Sequence, residues 1–137
     1  MKATELRIGN YVKWKTEDVT TFEIINYITS QTIGLESDID FDTLTPIELF
    51  KPIPLTEEWL LKFGFERQLK MKWAGDGWIH PNSILFDLYK KNKYMGYYQA
   101  GRHTKDFFYA VSIEIMFVHQ LQNLYFALTG EELEIKE

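Results

Sequence analysis

A chain of 137 residues is long enough to bury about two-thirds of its unfolded surface, as one domain or as two small lobes sharing a core. Aromatic residues at 16% argue for a packed interior against disorder, and the absence of cysteine excludes disulfides, thiolate chemistry and Cys-ligated zinc. The net charge of −5 is unevenly placed, with −6 in residues 1–61, +6 in residues 62–105 and −5 in residues 106–137.

This basic middle between acidic ends is the one compositional asymmetry that bears on a partner. The opening Met1-Lys2-Ala3-Thr4-Glu5 leads into no apolar run of signal-peptide length, and nothing approaches a membrane span. A soluble, cytoplasmic protein with no membrane partner is the expectation.

The first fifty residues read as short strands. Val12 and Trp14 alternate with Lys13 and Lys15, and Glu17-Asp18 turns the chain. Phe22, Ile24 and Tyr27-Ile28 continue a β-rich run, and Ile33 and Leu35 mark a third strand. Gly9-Asn10 and Gly34 supply turn or bulge positions, and Ser37-Asp38-Ile39-Asp40-Phe41-Asp42 is an acidic, turn-rich connection. This spacing predicts a small curled sheet or SH3-like barrel over residues 1–51.

Pro46, Pro52 and Pro54 predict a hinge or linker, since each removes a ladder donor and disfavours helix before it. A short helix follows. Thr56 caps it, Glu57 and Glu58 suit its positive end, Gly64 closes it, and Phe65 folds back on Leu60. Leu55 and Leu60 form a staple across the cap, and Trp59, Leu60 and Phe63 give the buried face.

A meander of hairpins comes next. Leu69, Met71 and Trp73 alternate with lysines, Ala74-Gly75-Asp76-Gly77 reverses the chain, and Trp78-Ile79-His80 returns. Ile84, Phe86 and Leu88 form one apolar face, Lys90-Lys91-Asn92-Lys93 turns into Tyr94–Ala100, and Gly101–Lys105 turns into an alternating Phe107, Tyr109, Val111, Ile113. The last predicted element is the helix Phe117–Thr129, closed by Gly130. Its apolar face is Phe117, Val118, Leu121, Leu124, Tyr125 and Leu128, and its opposite face is His119, Gln122, Asn123 and Phe126. The fold class is α+β: the N-terminal lobe, then residues 52–137 as helix, antiparallel meander and a closing helix packed on the sheet. Leu121, Leu124, Tyr125, Leu128, Trp59, Leu60, Phe63, Phe86 and Val111 are the expected core.

Two segments carry a family resemblance. Pro52-Ile53-Pro54-Leu55-Thr56-Glu57-Glu58-Trp59-Leu60-Leu61-Lys62-Phe63-Gly64-Phe65 and Val118-His119-Gln120-Leu121-Gln122-Asn123-Leu124-Tyr125-Phe126-Ala127-Leu128-Thr129-Gly130-Glu131-Glu132-Leu133 resemble the signature segments of a family of small proteins from gut Bacteroidales and their phages or integrated mobile elements. Leu6-Arg7-Ile8-Gly9-Asn10 is similar to that family's usual start, whereas Gln68–Phe108 matches no pattern of it. The family has no established activity. The resemblance implies a genomic setting and transfers no catalytic residue.

Chemistry has few footholds. His80, His103 and His119, with Asp76, Asp87 and Asp106, are the titratable candidates, but none has the i, i+4 spacing of a zinc helix. Gly75-Asp76-Gly77 is too short to cradle a phosphate, and no serine sits in a nucleophile elbow. No catalytic residue, cofactor or metal is expected. Single-stranded nucleic acid is the sharper binding idea: Lys70, Lys72, Lys91, Lys93 and Arg102 interleave with Tyr89 and Tyr97 in the basic segment. The overall acidity works against it. A protein partner or a homo-oligomer is the leading expectation, with His119, Gln122, Asn123 and Phe126 as the surface; Phe126 is either covered by the N-terminal strands or open to a partner.

Overall fold

The computed structural model describes residues 1–16, 21–40, 42–68, 76–81, 83–90, 97–103, 108–110 and 114–136, with the backbone alone for 76, 83–86, 103 and 108–110. The fold is α+β, with two antiparallel sheets and a C-terminal helix. Two compact units emerge: residues 1–54 with 117–127, and residues 55–116 with 128–137.

In the first unit, β1 (Tyr11–Trp14), β2 (Glu23–Ile28), β3 (Thr32–Leu35), β4 (Thr45–Pro46) and β5 (Phe50–Lys51) lie in the order β4-β3-β2-β1-β5. The chain runs as a meander, takes one 3₁₀ turn at Ile47–Leu49 and returns beside β1, pairing Trp14 with Phe50. This is the strand order of an SH3-like barrel. Leu6, Val12, Ile25, Ile33, Leu35, Ile47 and Phe50 form its core, with Trp14 tilted over Phe50 at 4.2 Å between ring centres. Lys13, expected on a wet face, is only 5% exposed.

The expected proline linker is only partly a linker. Pro54 bridges Phe117, and Ile53, 1% exposed, accepts a hydrogen bond through its carbonyl from the Val118 amide at 2.8 Å. The prolines leave their neighbours' carbonyls free to pair, so this stretch is tied to the start of the closing helix.

In the second unit, α1 (Glu57–Lys62) begins where Thr56 Oγ1 accepts from the Trp59 amide at 3.4 Å. It ends in a full C-terminal motif: the Phe65 amide donates to the Leu60 carbonyl and the Gly64 amide to the Leu61 carbonyl, both at 2.9 Å. Gly64 has φ +83°, and a Cβ there would lie 2.5–2.8 Å from the Lys136 side chain. Gly64→Ala is therefore expected to cost about 1–2 kcal/mol from the left-handed backbone alone. A melting curve should fall by roughly 3–8 °C.

The second sheet holds β6 (Glu66–Gln68), β7 (Asp76–His80), β8 (Ser83–Lys90), β9 (Gln99–His103) and β10 (Phe108–Ala110), in the order β10-β9-β8-β7-β6. Asp76-Gly77 and Gly101-Arg102-His103, predicted as turns, are strand residues, because Gly77 pairs with Gln68 and Gly101 with Asp87 and Ala110. Local turn chemistry yields here to ladder pairing. Trp78, Leu88 and Ala100 lie in one register row and are 2%, 0% and 0% exposed. They share this unit's interior with Leu60, Phe63, Phe65, Tyr98, Ile115 and Leu133, all at most 2% exposed.

The closing helix, α2 (Val118–Thr129), corrects the sequence reading most. Residues 117–127 group with the N-terminal strands, where the sequence groups the helix with the meander. Val118, Leu121 and Tyr125 are buried as expected, but Leu124 is only half-buried and Leu128 is exposed. His119 and Gln122, expected on the wet face, are 3% and 1% exposed. The side chain of Phe86 and all of Val111, also expected in the core, lie outside the described residues. Leu121→Ala is expected to destabilise by about 2–5 kcal/mol and Leu124→Ala by less than half as much, read as separate midpoints in urea unfolding. Among the described residues no helix is long and apolar enough to cross a membrane.

Candidate functional site

Of the residues proposed for partner binding on α2, His119 and Gln122 are buried, Asn123 is half-buried and Phe126 is exposed. Gln122 Oε1 accepts from the Tyr11 amide at 2.9 Å and from Asn10 Nδ2 at 3.4 Å, while its Nε2 donates to the Gly9 carbonyl at 3.1 Å. Asn123 Oδ1 accepts from Asn10 Nδ2 at 2.9 Å, and its own Nδ2 donates to the Glu5 carbonyl at 2.9 Å. Asn10 Oδ1 takes the Arg7 amide at 2.7 Å. Three carboxamides thus join the helix to the turn before β1. Phe126 keeps 37% exposure beneath the Arg7 guanidinium, 3.9 Å from its ring centre. The N-terminal strands do not bury Phe126; Arg7, ahead of β1, lies over one side of an exposed ring.

His119 stacks on Phe117 with ring centres 5.9 Å apart and planes at 8°, and its buried Nδ1 has no partner among the described residues. Burial pushes its pKa below the ordinary value, opposed by Glu5 and helped by the N-terminal ammonium. His80, 6% exposed, places Nε2 3.0 Å from the Phe63 carbonyl and meets the Phe65 ring edge-on at 5.0 Å. Its pKa is also lowered, chiefly by burial, with the Phe63 contact acting the other way. Neutral imidazole as a structural pin fits both positions. No group of three His, Asp or Glu side chains able to hold a metal occurs among the described residues.

The basic segment does not form one basic face among the described residues. Paired residues share a face, so Glu66, Ile79, Asp87 and Gly101 lie in one row and Gln68, Gly77, Tyr89 and Gln99 in the next, both opposite the buried Trp78 row. Tyr89 therefore does lie on the outward face, where partial burial holds its phenol above its usual pKa, and Tyr97 is half-buried. That face carries Glu66 and Asp87. The cations sit elsewhere: Lys90 Nζ is 5.2 Å from the ring centre of the buried Tyr98, Arg67 lies over Trp78 at 6.0 Å, and Arg102 is exposed. Lys70, Lys72, Lys91 and Lys93 lie outside the described residues.

A different feature stands out on the first unit, one that residue-by-residue motif reading missed. The β2–β3 pairing slips between Ile25 and Tyr27, leaving Asn26 as an extra residue opposite Gly34. Gly34 is there for space, since a Cβ would lie 2.9 Å from Asn26 Oδ1 and 3.1 Å from Tyr27 Cβ. Beside this bulge is a cleft of about 170 Å³ lined by Asn26, Tyr27, Gly34, Leu35, Asp38, Asp40 and Thr43.

The acidic connection is folded over this cleft by its own backbone. Asp38 accepts from the Leu35 amide at 2.8 Å, Asp40 from the Asp42 amide at 3.2 Å, and the Thr43 amide donates to the Asp40 carbonyl at 3.1 Å. Among the described residues no cation lies within ion-pair reach of Glu36, Asp38, Asp40 or Asp42, whereas Lys62 and Glu58 do pair, at 3.2 Å. Ile39 within this stretch and Leu44 just after it are exposed, at 103% and 44%, as is Tyr27 of the cleft lining, at 54%. A larger hollow of about 570 Å³ lies between Met1–Ala3, Ser30–Thr32 and Pro46–Glu48, with Lys2 and Glu48 in its lining.

No protein-family model matches the chain, and no curated protein or solved structure is significantly similar to it. The cleft's own chemistry therefore carries the functional argument.

Proposed function

We propose that this chain is a non-enzymatic, cytoplasmic accessory protein of a phage or mobile element that acts through protein–protein interaction. One observation carries the reading: the cleft beside the Asn26 bulge places exposed Tyr27 with Asp38 and Asp40, which no cation among the described residues pairs, and the neighbouring Ile39 and Leu44 are exposed as well. Exposed apolar side chains beside charge of one sign suit a partner that is apolar in part and basic in part. The genomic setting rests on the family resemblance.

A photo-crosslinking residue in place of Ile39 tests this in cells that express the protein. A discrete adduct is expected from position 39 and none from position 61, where Leu61 is also exposed, at 62%, but lies on α1. No adduct from position 39 would contradict the reading. Single-stranded nucleic acid is disfavoured by Glu66 and Asp87 on the outward face of the second sheet. No salt-sensitive retention on single-stranded DNA or RNA is expected, and retention lost in Arg102→Glu would reverse that ranking.

A further inference from the structure

We propose that the β1–β5 pair of the first unit binds a phosphate dianion, free or as the end group of a small ligand, between the side chains of Lys13 and Lys51. The site is separate from the acidic cleft and goes beyond the interaction reading.

The register sets two like charges face to face. Lys13 on β1 lies directly opposite Lys51 on β5. In such a pair the Cβ atoms are about 4.5–5.5 Å apart, and like charges so placed weaken the sheet. Lys51 Nζ donates to the Lys15 carbonyl at 3.4 Å, which ties a third lysine to the same strand pair. Residues 1–54 hold five cationic and nine acidic residues. Three of those five cations gather here, and among the described residues no carboxylate forms an ion pair with any of them. Pairing within the fold therefore does not explain the cluster.

Burial is a second, independent observation. Lys13 is only 5% exposed, yet among the described residues its ammonium has no hydrogen-bond or ion-pair partner. A lysine so sheltered is ordinarily paired, and an unmatched cation out of bulk water is a cost that a bound anion removes. Protection of a sheet edge is not the reason. Lysine on an edge strand deters further strands, which would account for Lys51 on β5, but Lys13 stands on an inner strand flanked by β2 and β5.

The pair selects the class of anion. Two ammonium groups on neighbouring strands offer two positive charges and donors from two sides. A dianion with tetrahedrally disposed oxygens meets both, whereas a single carboxylate leaves one charge unmatched. Lysine holds phosphate as a point charge, without the planar fork that suits carboxylate. Two charge-assisted contacts correspond to a dissociation constant near ~1 mM.

In ~20 mM phosphate the melting temperature should rise by about 3 °C or more over a chloride control of equal ionic strength. In a phosphate titration the amide resonances of Lys13, Trp14, Phe50 and Lys51 should move most. Lys13→Met and Lys51→Met keep an apolar stem and remove the charge. Each should abolish the phosphate shift and melt no lower than the parent in chloride, because the opposed charges are relieved. Lys2→Met, which removes a cation outside the strand pair, should keep the shift. A 5′-nucleoside monophosphate separates the two sources: binding tighter than inorganic phosphate marks an end group, and binding no tighter marks the free ion. No shift beyond chloride overturns the proposal, as does a shift that survives in both lysine variants. Both variants melting well below the parent would make the lysines structural and would overturn it as well.

Discussion

Gln122→Leu is expected to destabilise the protein by about 3–5 kcal/mol, because it removes the hydrogen bonds that Gln122 makes with the Tyr11 amide, the Asn10 carboxamide and the Gly9 carbonyl. The leucine would be nearly isosteric and more apolar, so area burial alone predicts little loss. The lost hydrogen bonds decide the sign: a buried donor or acceptor deprived of its partner costs about 1–3 kcal/mol. In a chain of this size the melting temperature should drop by roughly 10 °C or more. Asn10→Ala should behave alike, since Asn10 holds the Arg7 amide and both helix carboxamides. The double variant should lose less than the sum of the two, as members of one network do. A drop of less than about 2 °C for Gln122→Leu would mean that the network contributes little.

Acid should weaken the fold beginning near neutral pH. His80 and His119 both have pKa values lowered by burial, so the unfolded chain takes up protons before the folded one does. Their contribution is complete above the unfolded value of about 6.5 and is lost as pH falls from there toward the folded values. The slope is at most about 1.4 kcal/mol per pH unit for each histidine. Calorimetry should show a melting temperature that is level from pH 8 to about 7 and declines below about 6.5. His119→Gln should flatten part of that decline. A melting temperature that rose on acidification through this range would contradict the burial of both rings.

Much of the fold was legible because local rules and packing agree. Thr56, Gly64 and Phe65 announce α1 and its ends, and alternation announces β1 to β3. The closing helix is legible from its periodicity, but its faces are not, because polar His119 and Gln122 are buried while apolar Leu128 is exposed. One signal was available: Val118–Thr129 contains no charged residue, and a helix face of neutral amides is better suited to an internal network than to water. Gly9-Asn10 read as a turn, and nothing local indicated that its amide would meet a helix more than a hundred residues later. Such pairing is set by topology.

The candidate site was harder to read. The acidic stretch and Gly34 were both visible, yet the cleft depends on a register slip that leaves Asn26 unpaired in the ladder, and alternation cannot reveal a slip of one residue. The basic segment illustrates the reverse. Lysines and aromatics interleave along the sequence, but the pleat sorts Tyr89 beside Asp87 and Glu66 and sends Lys90 over Tyr98.

The central claim is that the polar face of the closing helix is internal and that the surface open to a partner lies at the acidic cleft. The chain has no cysteine, so single cysteines at His119 and Ile39 compare the two places directly. In proteins with unchanged melting curves, Ile39→Cys should react with maleimide at the rate of a free thiol. His119→Cys should react only through opening of the fold, at least ~100-fold more slowly. Equal rates would place the helix face at the surface and return the partner site to His119, Gln122, Asn123 and Phe126.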